Sequence, residues 1–174
     1  MKSIHPRALR FVLVGALCVS HSVFALPEDR DKPVQVNANQ MEWQQQQQQG
    51  IYRGEVVATQ GELRLESDRL TLFRGEDGQL SRALAEADQG LAYMRDLPEL
   101  GQPQVEAWAE RIDYHPADEL LILTGQAHLR QGEDSFRGHR LVYHLTTQDL
   151  EAEQDAGGES RIEVILTPKR NRGD

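Results

Sequence analysis

The chain has 174 residues, with 28 acidic side chains against 19 basic ones, a formal net charge of −9 and a single cysteine. Such a balance excludes nucleic acid as a natural partner, because phosphate binding wants a basic stripe. It also disfavours plain electrostatic adsorption to an anionic membrane, and the length suits one domain with a real core.

Residues 1–25 read as a cleaved export signal. Lys2, Arg7 and Arg10 form a positive start, 11–19 is an apolar run, and Val23-Phe24-Ala25 puts small residues where cleavage after Ala25 needs them. The run is shorter than the ~20 apolar residues of a membrane span. Export to the periplasm is therefore expected. Cys18 offers a competing reading as a lipoprotein acylation site, but the bulky Leu17 before it fits that processing poorly. Losing three cations and no acid takes the charge from −9 to about −12. With Cys18 gone, the mature chain has no disulfide or thiol chemistry.

A polar lead-in over 26–33 opens a domain expected to run over 26–168. Short segments then alternate apolar and polar residues at the strand period of two: Val34/Val36/Ala38, Met41/Trp43, Tyr52/Val56/Ala58, Leu63/Leu65, Leu70/Leu72, 80–87 and Leu91/Tyr93. The second half continues with Val105/Ala107/Ala109, Ile112/Tyr114, Leu121/Leu123, Ala127/Leu129, Phe136, Leu141/Tyr143, Leu150/Ala152 and Ile162/Val164/Leu166. Residues 81–88 and 106–111 could pass for helix on propensity, yet period-two neighbours make both strands. The glutamine run 44–49 is expected to widen a hairpin loop, and 169–174 is a polar tail.

The chain also repeats itself. Residues 34–72 and 105–143 align without a gap at an offset of about 71. Gly54 matches Gly125, Gln60-Gly61-Glu62 matches Gln131-Gly132-Glu133, and Arg69-Leu70 matches Arg140-Leu141. What recurs is alternating apolar residues and turn glycines, not acids, histidines or nucleophiles. Duplicated scaffold without duplicated chemistry argues for a long ligand and against an enzyme.

The sequence carries few signs of chemistry. His115 with Asp113, Asp118 and Glu119 resembles a metal cluster on paper, but no spacing follows a zinc pattern and the group reads as exposed hairpin residues. Ser135 and His139 form no nucleophile–base pair, since no Gly-x-Ser-x-Gly elbow surrounds the serine. No phosphate loop is present, so neither a catalytic residue, a metal nor a cofactor is expected.

At Gly54-x-Val-x-Ala-x-Gln-Gly with Leu65-x-Ser-Asp-Arg-Leu, and again at Gly125-x-Ala-x-Leu-x-Gln-Gly with Phe136-x-Gly-His-Arg-Leu, the chain resembles the OstA-like family of lipopolysaccharide-transport proteins. The likeness spans the mature chain, from Lys32-Pro33-Val34 to Pro168. It implies an all-β fold, a twisted, slightly open β-jellyroll of two packed antiparallel sheets. It further implies lipopolysaccharide as ligand, its acyl chains held between the sheets. The implied partners are further copies joined head to tail and similar domains of the inner- and outer-membrane components, with an ATPase elsewhere supplying direction. Val36, Met41, Val56, Leu65, Leu72, Ala107, Ile112, Leu129, Phe136, Tyr143 and Val164 are the expected groove lining, although each would also face inward in an ordinary sandwich core. Small residues at Ala58, Ala107 and Ala127 favour a cavity. Val34, Val36 and Ala38 at one end, and Ile162, Val164 and Leu166 at the other, are the expected assembly edges, because neither run holds a proline. A β-sandwich module for a sugar or protein partner is the competing function.

Overall fold

Every apolar alternation in the sequence becomes a strand in the computed structural model, which describes residues 32–97, 101–155, 157 and 161–168. The expected signal peptide, most of the lead-in and the tail lie outside the described residues. The twelve strands are β1 (Gln35–Asn37), β2 (Gln40–Gln44), β3 (Gln49–Gln60), β4 (Leu63–Arg74), β5 (Leu80–Glu86), β6 (Ala92–Asp96), β7 (Val105–Ala109), β8 (Arg111–His115), β9 (Leu120–Gln131), β10 (Asp134–His144), β11 (Leu150–Glu153) and β12 (Glu163–Ile165). Both helix-prone stretches are extended, as β5 and as β7 turning into β8. There the strand period, which buries Ala83, Ala85, Ala107 and Ala109, outweighs alanine's helical preference.

All twelve strands share one hydrogen-bonded sheet, but the sheet is folded into two layers. The four long strands β3, β4, β9 and β10 each contribute one half to each layer. Layer I runs β1–β3–β4–β6–β7–β9–β10–β12, and layer II runs β2–β3–β4–β5–β8–β9–β10–β11. The crossings fall along one seam, where the ladders slip between Arg53 and Val56 and between Gly138 and Arg140. In β3 and β9 the slip is a left-handed pair, Gly54 (φ 81°) with Glu55 (48°) and Gly125 (78°) with Gln126 (49°). Inserted residues of this kind bend a strand sharply, so two glycines set the angle between the layers. The result is the twisted, open β-jellyroll expected.

The repeat is now explicit, β1–β6 and β7–β12 being the same six-strand unit. The units join through two antiparallel contacts, β6 with β7 in layer I and β5 with β8 in layer II. The glutamine run does not widen its loop. Gln44 still pairs with Gln49, and the four-residue tip matches the one after His115 in the second unit, with Gln48 and Glu119 both left-handed. Glutamine simply fills turn positions facing solvent.

Across the layer II contact, Arg82 grips Asp113 through two bonds of 2.7 and 2.6 Å. Burial works against ionisation of Asp113, but the bonds to Arg82 prevail and hold its carboxyl below the usual range. Asp113 also takes His115 at 3.1 Å. Of the paper metal cluster, Asp113 is thus an ion-paired outer-face residue with His115 beside it, while Asp118 is exposed at the hairpin tip as expected. Replacing Arg82 by alanine strands a mostly buried carboxylate with weaker partners. We expect a loss of about 1–3 kcal/mol in urea unfolding; a midpoint equal to the parent's would show that the bridge adds nothing.

Candidate functional site

Side chains directly opposite in an antiparallel ladder share a face, so the register lays out the interior as rows. In layer I one row crosses every strand: Val36, Ala58, Leu65, Met94, Ala107, Leu129, Phe136 and Val164. Layer II has two. The first is Met41, Tyr52, Leu70, Ala85, Ile112, Leu123, Leu141 and Ala152, and the second is Trp43, Gly50, Leu72, Ala83, Tyr114, Leu121, Tyr143 and Leu150. No charged residue interrupts any of the three.

Ten of the eleven expected lining residues stand in these rows, and Val56, just past the bulge, joins the same buried cluster. Sequence reasoning passed over Leu70, Met94, Tyr114, Leu121, Leu123 and Leu141. The repeat held the signal for some of them, since Leu70 and Leu141 are equivalent positions. The small residues behave differently from expectation. Ala107 and Ala127 are 0% and 2% exposed within a filled core; they let the layers close instead of leaving a space. Ala58 lines a narrow cavity of about 20 Å³ beside Leu65, Leu70, Ala83 and Tyr114.

The interior widens at the β1/β2 end. A cavity of about 350 Å³ opens there between the layers, with Val36, Trp43, Tyr52 and Leu72 on its walls and the polar Lys32, Gln60, Arg74 and Gln79 also lining it. Next to it, opposite the seam, a wider cleft of about 540 Å³ lies between Gln60 of layer I and the 75–81 and 116–117 tips of layer II. Deeper in, the core is shut: Leu70, Leu123, Leu129 and Leu141 have no exposed surface. Tyr143 is buried enough that its phenol is pushed up to about 12.

Both ends of the fold expose what the middle buries. Among the described residues, β1 and β2 lack neighbours beyond β3, and β12 and β11 lack neighbours beyond β10. The exposed large apolar residues among those described are Val34, Met41 and Trp43 at the first end, Ile162, Val164, Ile165 and Leu166 at the other, and Leu91 between. The layer I edges were anticipated; the layer II edges β2 and β11 were not.

The outer face of layer I carries the chain's other conspicuous cluster. Trp108 stacks on His128 at 4.9 Å and meets Tyr93 at 5.3 Å, while Arg130 lies over the indole and bonds Glu106. His128 Nε2 is 3.1 Å from Ser135 Oγ. Burial, then Arg137 and Arg130, push the imidazole pKa down, so the fold holds a neutral ring packed against its neighbours. This is a cross-strand staple. A histidine whose pKa is depressed on folding favours the folded state fully above about 6.5, and that contribution fades as pH falls below it. We expect the melting temperature to drop as the pH falls below about 6.5, with a smaller drop in His128→Gln. An identical pH profile in the variant would remove His128 from the account.

An apolar interior that opens at the β1/β2 end, with edge strands that have no further partner among the described residues, suits a conduit for an apolar chain. The family model described as LptA/(LptD N-terminal domain) LPS transport protein matches residues 35–149. The chain belongs to this family. It is 29% identical to the lipopolysaccharide export system protein LptH of Pseudomonas aeruginosa over 98% of both chains. It is 27% identical to LptA of Escherichia coli over 95% of this chain and 91% of that one. The crystal structure of LptH, titled the LptA-homologous periplasmic component of a lipopolysaccharide transport device, superposes with a TM-score of 0.72 at 27% identity, covering 82% of this chain and all of LptH. Membership of a transport family accords with the expectation that the chain is not an enzyme.

Proposed function

We propose that this chain is a periplasmic bridge for lipopolysaccharide, sheltering the lipid's acyl chains between its layers and passing them to neighbouring domains of the same kind. The observation that carries the reading is the set of inward rows, apolar across every strand and ending on exposed apolar residues at both edges. Burying a methylene is worth about 0.8 kcal/mol, so a chain of about a dozen carbons resists water by on the order of 10 kcal/mol. Only a shield continuous from one membrane to the other removes that barrier. Because the deep rows are closed, an acyl chain enters at the open β1/β2 end and parts the layers opposite the seam. The decisive measurement is binding of the exported chain to intact lipopolysaccharide against the deacylated saccharide. Binding to the intact lipid alone supports the groove; equal binding to both moves recognition to the sugar.

Continuity between molecules follows from the repeat. The contact between the two units supplies a pattern for a contact between two copies, with β12 in the place of β6 and the next copy's β1 in the place of β7. Met94 opposite Ala107 then becomes Val164 opposite Val36 of the next copy, and Ala92 opposite Ala109 becomes Ile162 opposite Ala38. In layer II, β11 and the next β2 take the places of β5 and β8, so Leu150 covers Trp43 and Ala152 covers Met41. Each interior row runs on unbroken into the next molecule. Such a joint is heterologous and builds a filament. Val164→Pro, at a half-exposed edge position, is expected to abolish head-to-tail assembly in light scattering while the monomer stays folded. Filaments formed as by the parent would reject this edge.

A further inference from the structure

We propose that the outward charges of β11 favour a partner edge strand carrying cations at alternate positions over a second copy of this chain. The inference rests on the head-to-tail joint and names the partner that the joint selects. Inside the molecule, the outward face of the β5–β8 contact is electrostatically matched. Glu86 stands opposite Arg111, and Asp113, opposite Leu84, is neutralised by Arg82. The same register between copies matches nothing. Glu151 comes opposite Glu42 of the next copy, and Glu153 opposite Gln40. Arg82 has Asp149 as its counterpart, the residue whose carbonyl takes the His144 N–H at the turn into β11.

The edge of β11 therefore presents Asp149, Glu151 and Glu153, all exposed, to a β2 edge whose outward residues are Gln40, Glu42 and Gln44. Glu153 is already tied to Arg140 at 3.1 Å, and Arg53 lies 3.4 Å from Glu42. Those cations offset charges within each copy, so the joint gains no ion pair and keeps the opposed glutamates. Like charges directly opposite across a ladder are destabilising, and opposite ones stabilising. The layer I part of the joint opposes no two charges on its outer side, with Glu163 opposite Asn37 and Ile165 opposite Gln35. Discrimination thus resides in layer II. The apolar inward pairs hold any domain of this fold, and the outward pairs choose among them.

The test makes this chain's own first edge basic. Self-association of the exported chain is measured by sedimentation at low salt for the parent, Glu42→Lys, Glu151→Lys and the double variant. Each single variant exchanges a repulsive pair for an attractive one and is expected to tighten association about fivefold. The double variant, lysine facing lysine, returns to near the parent, and high salt shrinks the differences. Singles that leave affinity unchanged, or a double that tightens further, overturn the proposal. Val164→Pro in parallel separates the two ideas. If it abolishes association while the charge variants are silent, only the selection fails; if it associates like the parent, the joint itself is wrong.

Discussion

Gly125→Val is expected to cost about 3 kcal/mol or more of folding stability, lowering the melting temperature by roughly 10 °C. The residue sits where β9 leaves layer II for layer I, with φ +78°, and a side chain built there would run into Glu110, whose Cβ would be 2.9 Å away. Left-handed backbone costs a non-glycine residue about 1–2 kcal/mol, and a β-branched one is a true outlier there. Overpacking adds about 1–3 kcal/mol. Glu110 cannot simply retreat. It is the single-residue corner between β7 and β8, its N–H donates to Gly125 O at 2.9 Å, and its carboxylate accepts from Gln126 at 2.9 Å. Displacing it disturbs both layers at the contact between units. Gly54→Val makes the comparison. It has the same left-handed backbone, but the obstruction is Asn39 beside an edge strand, so the loss should be smaller. Equal losses would mean that backbone strain alone matters. A loss below about 1 kcal/mol for Gly125→Val would mean that the bulge relaxes.

Much of this architecture was legible because the two things the sequence repeats, a period of two and a pair of turn glycines, are the two things the fold uses. Period two decided the helix-prone stretches correctly, since each alternate alanine faces a neighbour across the interior. Gly54 and Gly125 were visible as a matched pair, but that they swing a strand from one layer to the other was not; a bulge leaves one odd residue, which reads as a flaw in the alternation. The repeat faded after β4 for a related reason. Ala83 is equivalent to Leu150 and Met94 to Val164, neither at the offset that aligns the earlier strands, so a gapless match stops short of the last two. With them was lost the match of β11 to β5, and hence the layer II edges. Ala107 shows the limit of composition. A small residue implies either a gap or a close approach, and only the opposing layer decides which.

Leu72→Glu should weaken binding of intact lipopolysaccharide by about a hundredfold or more while leaving the chain folded. Leu72 stands in the second row of layer II, between Gly50 and Ala83. It lines both the open end cavity and the narrow one behind it. Being only partly buried, it can be replaced by a side chain that reaches water through the opening, so the free protein loses about 1–2 kcal/mol of apolar burial and little else. An acyl chain passing the same point closes that escape. The carboxylate must then shed water against methylenes, which costs several kcal/mol with no partner to offset it. The free protein tolerates the charge and the loaded one does not, and that difference separates a conduit from a core. If the interior were only a core, the variant would bind lipid as the parent does, or would bind nothing because it unfolds. Far-ultraviolet circular dichroism beside the binding titration distinguishes these cases. Leu123→Glu, in the shut part of the interior, should instead fail to fold, since no route to water exists there before the layers part.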